Sequence, residues 1–113
     1  MPKYRVERVS QEILREVNDI LLKTVKDPRV QNVTITDVEV TGDLQHATVY
    51  YSTLEKDEQA REETQSGLDK VAGLVRSEIG NRIKLYKTPE IRFERDKSLE
   101  QGQRIEKILR DLK

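Results

Sequence analysis

Between residues 6 and 40 the apolar residues change their period, and that change governs what the chain can fold into. Val6, Val9, Ile13, Val17, Ile20, Leu21 and Val25 recur mostly at steps of three or four, drawing one stripe along a long amphipathic helix. Asp27-Pro28 ends it, because proline disfavours helical backbone at the residue before it. From Val33 to Val40 the β-branched residues alternate as in a strand, but the alternation slips: Val33 and Ile35 share one phase, Val38 and Val40 the other. One extra residue near Thr36 or Asp37 repairs the phase, which predicts a β-bulge there. A helix stripe followed at once by a strand calls for a helix packed on a sheet.

The rest of the chain extends that plan. Thr41-Gly42-Asp43-Leu44 reads as a tight hairpin turn with Gly42 at positive φ. A second strand runs from about Gln45 to Ser52, with Ala47, Val49 and Tyr51 on one face and His46, Thr48 and Tyr50 on the other. Asp57 suits a helix N-cap. Leu68, Val71, Ala72, Val75, Ile79 and Ile83 form the next helical stripe, interrupted by Gly73. A glycine inside a good apolar pattern suggests a kink or a close backbone approach, and Gly80 a close packing on the sheet. Pro89 precedes a short strand, Glu90 to Arg95, with Ile91 and Phe93 inward. Ser98 and Gln101 match a capping box, opening a last helix with Leu99, Ile105, Ile108, Leu109 and Leu112. The expected order is α-β-β-α-kink-α-β-α, an α+β domain with helices on one face of the sheet.

Charge narrows the function classes. The chain has 113 residues, with 21 Lys and Arg against 21 Asp and Glu, so a nonspecific polyelectrolyte binder is disfavoured. The balance is local: residues 31–53 and 54–65 are each acidic, and residues 66–97 hold eight bases against five acids. Binding to nucleic acid would use one face and leave another acidic. Cysteine is absent, which removes disulfides, thiolate metal sites and a thiol nucleophile. The longest aliphatic run is Ile20-Leu21-Leu22 and the amino terminus lacks an apolar signal stretch, so the expectation is a cytoplasmic chain with no membrane partner.

Catalysis finds little footing. His46 is the only histidine, the acids are not spaced as ligands, and no GxxxxGK[ST] or GxGxxG cradle exists. Neither metal, cofactor nor small-molecule substrate is expected, and His46 reads as an exposed strand residue. The basic segment is more informative. Arg76 follows Gly73 by three residues, and Arg82, Lys84 and Lys87 run from the helix end into the loop before Pro89. A break between helices would bare backbone N–H groups beside these cations, a geometry suited to phosphate. On the first helix Lys3, Arg5, Arg8 and Arg15 sit against the dipole. Tyr51 and Phe93 read as core, and Tyr50 and Tyr86 as candidates for stacking on a base.

Residues 4–112 resemble the bacterial ribosome-binding factor A family. The resemblance is carried by RVERVSQEILREVNDILL, KDPRV, VTGDLQHATVYYS, and the ordered set GLVRSEIG, KTPEIRFERD and GQRIEKIL. It implies a type II KH-like fold over residues 1–113 as one domain, with a three-stranded mixed sheet whose third strand lies beside the first. Ordinary KH domains clamp single strands through a GxxG loop, and no two glycines here have that spacing. The family has instead a helix-kink-helix with an Ala-x-Gly signature, met here by Val71-Ala72-Gly73 with valine in the alanine position.

The resemblance further implies a noncatalytic, cytoplasmic assembly factor. It would act as a monomer on the immature small (30S) ribosomal subunit and 16S rRNA, assisting 30S maturation and 5′-end processing, above all at low temperature. On that reading Arg76, Arg82, Lys84 and Lys87 grip the rRNA backbone, with Lys70, Arg5 and Arg8 as further contacts. The alternative is a protein-interaction module without direct RNA contact.

Overall fold

The computed structural model describes residues 3–83, 85 and 87–96. Its elements are helix α1 (Lys3–Lys23), strands β1 (Val33–Val40) and β2 (His46–Thr53), helix α2 (Glu58–Arg82) and strand β3 (Glu90–Arg95). A single 3-10 turn, Pro28–Val30, joins α1 to β1. The expected last helix, from Ser98 onward, lies outside the described residues.

Periodicity builds the core. On α1 the residues Val9, Ile13, Val17, Ile20 and Leu21 are buried, and Val25 continues the stripe just past the helix end. Each full burial of such a side chain is worth about 1.5–3 kcal/mol, enough to order a helix whose own propensity would not. The stripe meets Ile35, Val38 and Val40 of β1 and Ala47, Val49 and Tyr51 of β2. Leu68, Val75, Ile79 and Phe93 close the same core. The helices cover one face of the sheet, α1 over β1 and α2 over β3. The architecture is α+β and KH-like, with a three-stranded mixed sheet.

The bulge falls where the slip placed it. Ile35 faces Tyr51 and Asp37 faces Tyr50, so Thr36 is the additional residue on β1. Without it, either Ile35 or Val38 and Val40 would turn to water. The Asp37 carboxylate accepts from the Val38 N–H at 2.9 Å.

Three expectations are corrected. First, β3 pairs with β2, in parallel, and not with β1; the sheet order is β1-β2-β3. Parallel neighbours need a crossover, and α2 supplies it by carrying the chain from the end of β2 back to the start of β3.

Second, there is no break at Gly73: α2 is one helix of 25 residues. Leu68, Val75 and Ile79 stay on one buried face across the glycine, and their burial outweighs its cost of about 1 kcal/mol. Nor does another backbone among the described residues approach Gly73, since a Cβ there would meet none of their atoms within 4 Å. The close approach is at buried Gly67, where a Cβ would lie 3.2 Å from Arg29 Cβ and Val30 Cγ1. At Gly80 it would lie 2.8 Å from Thr88 Oγ1, a contact with the loop before β3 and not with the sheet.

Third, the hairpin turn puts positive φ at Leu44 (61°) and not at Gly42. A left-handed non-glycine costs about 1–2 kcal/mol, which burial of the leucine side chain offsets. The Leu44 N–H donates to Thr41 O at 2.8 Å, and Asp43 Oδ1 accepts from Thr41 Oγ1 at 2.6 Å.

Candidate nucleic-acid interface

Arg76 and Arg82, the two α2 arginines expected to bind phosphate, are already engaged within the fold. Arg76 is half-buried, with Nη2 donating to Thr88 O at 3.1 Å and Nε to Pro89 O at 3.3 Å. Those carbonyls belong to the loop entering β3, so the guanidinium fixes that entry.

Arg82, in the last turn, reaches across to α1. Its Nη1 donates to Asp19 Oδ2 at 2.7 Å and to Glu16 Oε2 at 3.1 Å, while Nε lies 3.5 Å from Glu78. Hydrogen bonds to Asp19, then Glu16, raise the guanidinium pKa. Asp19 is held below its ordinary value by Arg82 first and Lys23 second. Acids therefore cover the Arg82 end of the expected basic surface, and the phosphate-facing geometry proposed for Arg76 and Arg82 together is not what the fold presents.

The remaining cations face water. Lys70 stands on the solvent side of α2 with Gly73, Leu74, Ser77 and Asn81, and Lys87 is exposed in the loop after the helix. On α1, Arg5 and Arg8 are exposed, Arg8 with Glu12 3.5 Å away, and so is Arg15. Arg8, Arg15 and Leu22 recur every seven residues on that exposed side. Lys84 and Tyr86 lie outside the described residues. Val71 and Ala72 are partly buried against the core, while Gly73 is exposed.

The opposite surface differs in sign. The outer face of the sheet carries Asp37 and Glu39 of β1 and Glu90 and Glu94 of β3, with Arg92 beside Glu94 at 3.4 Å. Tyr50 is half-buried there and donates its hydroxyl to Glu39 at 3.0 Å, which raises its pKa and ties up the group a stacking role would leave free. His46 is exposed, 3.9 Å from Glu90. Tyr51 and Phe93 are core residues, as expected; the Tyr51 hydroxyl donates to Gln65 Oε1 at 2.6 Å and burial pushes its pKa up. Among the described residues no three acids or histidines gather as a metal site, and no helix is long and apolar enough to cross a membrane.

Comparison with known proteins is consistent across sequence and structure. The family model for ribosome-binding factor A matches residues 5–109. Ribosome-binding factor A of Levilactobacillus brevis is 58% identical over 112 residues, 99% of this chain and 97% of that protein. The solution NMR structure of a Thermotoga maritima protein superposes with a TM-score of 0.73 at 35% identity, covering 87% of this chain and 92% of the other. A homology model of Thermus thermophilus ribosome binding factor A, as fitted into a cryo-EM map of a 30S complex, gives 0.63 at 17% identity, over 78% of this chain and 91% of that one. The last likeness bears on the fold alone.

Proposed function

The chain belongs to the ribosome-binding factor A family, and from that premise we propose that it binds the immature small ribosomal subunit as a noncatalytic assembly factor in the cytoplasm. The observation that carries this reading is the near-complete match to ribosome-binding factor A, by the family model over residues 5–109 and by a relative 58% identical over 112 residues. The protein works as a monomer and as one domain. It contacts 16S rRNA, assists 30S maturation and 5′-end processing, and matters most at low temperature. No cofactor or substrate turnover is involved. Binding favours one rRNA arrangement by its differential affinity for that arrangement over its competitors.

The phosphate contacts fall to cations that the fold leaves in water: Arg5, Arg8 and Arg15 on α1, Lys70 on α2 and Lys87 after it. Lys84 joins them on its place in the sequence. The acidic outer face of the sheet then points away from RNA, and the contacts rest on individual exposed cations of the helical side, where acids and bases are balanced.

A second reading, docking on protein without touching RNA, gains from the internal pairing of Arg76 and Arg82. Co-sedimentation with purified small and large subunits at two salt concentrations separates them. Phosphate contacts release counterions and weaken steeply with salt, whereas a protein-only contact does not. The expected result is salt-sensitive binding to small subunits; binding to neither subunit would reject the function.

A further inference from the structure

Among the described residues, one end of the sheet is apolar and without cover. A groove of about 430 Å3 opens there between α1 and the start of β1, walled by Leu21, Leu22, Val25, Val30 and Val33, with three uncharged polar residues completing it. Leu22 is 81% exposed, and Leu54, next to the register partner of Val33, is 85% exposed. Among the described residues none that lines the groove is charged, which leaves it unsuited to phosphate, so its occupant is a different one from the RNA proposed above.

The chain leaves β3 at this same end. Arg95 pairs with Tyr51, and the Asp96 N–H donates to Tyr51 O at 2.7 Å. The Asp96 carboxylate accepts from Thr36 Oγ1 of β1 at 2.6 Å, so its side chain spans β2 to reach β1 while its backbone stays paired with β2. Strands lie about 4.8 Å apart, which leaves a few residues of chain to reach the outer side of β1. Beyond residue 96 the sequence offers Ser98 as a cap and then Leu99, Ile105, Ile108, Leu109 and Leu112, an apolar stripe in need of a partner. A helix over residues 99–112 would be about 21 Å long, ample for the groove.

We propose that this groove is the docking site of the chain's own segment 97–113, its apolar stripe seated on Leu21, Leu22, Val25 and Val33. Tethering favours this occupant over a second copy of the chain, because a short linker holds the segment at an effective concentration of about millimolar.

The natural chain has no cysteine, so introduced thiols report cleanly. In the full chain, Leu22→Cys is combined in turn with Ile105→Cys, Ile108→Cys, Leu109→Cys and Leu112→Cys and oxidised mildly. A disulfide requires Cα atoms within about 7 Å, so closure inside one chain by at least one pair is the expected result. No closure, or closure only between chains, overturns the proposal. Hydrogen exchange supplies an independent reading. Amides of residues 99–112 should be protected about tenfold or more in the natural chain, and Leu22→Asp should remove that protection. Absent protection, or protection that Leu22→Asp leaves unchanged, also overturns it.

Discussion

Arg82 Nη1 sits 2.7 Å from Asp19 Oδ2, joining the last turn of α2 to the C-terminal part of α1. Glu16 shares the same nitrogen at 3.1 Å, so removing the guanidinium takes a cation from both acids and leaves Asp19 with Lys23 at 2.9 Å. Arg82→Ala is expected to lower the urea midpoint, and the loss should shrink in high salt because the cluster is partly open to water. Association with small subunits, per folded molecule, should not change. A fully folded Arg82→Ala protein that fails to co-sediment would return this side chain to the RNA interface.

Arg76 makes a related case with different chemistry. Its guanidinium serves the carbonyls of Thr88 and Pro89, which reach no other donor through it once it is truncated. Hydrogen bonds from a charged donor contribute about 1.5–3 kcal/mol, so Arg76→Ala should destabilise by an amount in that range. Chemical denaturation measures it. Stability unchanged within error, together with loss of subunit binding, would contradict a structural role.

Gly73→Ala tests the continuity of α2. Its Cβ would meet nothing within 4 Å, the site is exposed, and the backbone there is helical and without positive φ. Alanine should therefore stabilise by about 0.4–1 kcal/mol, through the unfolded chain and helix propensity. A kinked helix that needs glycine would give the opposite sign, seen as a lower melting temperature.

Lys70→Glu with Lys87→Glu addresses the binding side directly. Both lysines are exposed, so the pair of changes should leave the melting temperature near that of the natural chain. Binding to small subunits should weaken, and the salt slope should fall by about one for each lost phosphate contact. Equal affinity and equal slope would move the interface elsewhere.

Signals local in sequence were readable, and signals that depend on a distant partner were not. The bulge at Thr36 follows from the side-chain period of two, which betrays one extra residue with no help from tertiary structure. Asp57 as the cap of α2 was equally visible; its carboxylate accepts from the Ala60 N–H at 3.3 Å. Gly73 and Gly67 look alike in a helical pattern, and only the neighbourhood of Arg29 and Val30 marks Gly67 as the close contact. Arg82 has one acid, Glu78, four residues before it, but its hydrogen-bonded partners Glu16 and Asp19 lie more than sixty residues away, and Arg76 meets loop carbonyls, so those partners are not written beside the cation. Positive charge in a sequence identifies a donor without identifying the acceptor.

Asp27 provides a pH test of the joint between α1 and β1. Its carboxylate accepts from the Arg29 N–H at 3.0 Å and from the guanidinium at distances down to 2.6 Å. The Arg29 side chain first, and its backbone N–H second, lower the Asp27 pKa from 3.8 to about 2. A carboxylate depressed in the folded state binds protons more readily in the unfolded one. Its stabilising contribution is thus complete above the unfolded pKa of about 3.9 and is lost as pH falls through the folded value. Asp27→Asn retains a capping oxygen and removes the charge. The stability gap between the natural and Asp27→Asn chains should be constant above about pH 5 and should close between about pH 4 and pH 2. Carboxyl NMR titration checks the premise: a midpoint near 2 is expected, and one at the ordinary value of 3.8 would show that Arg29 does not hold the charge.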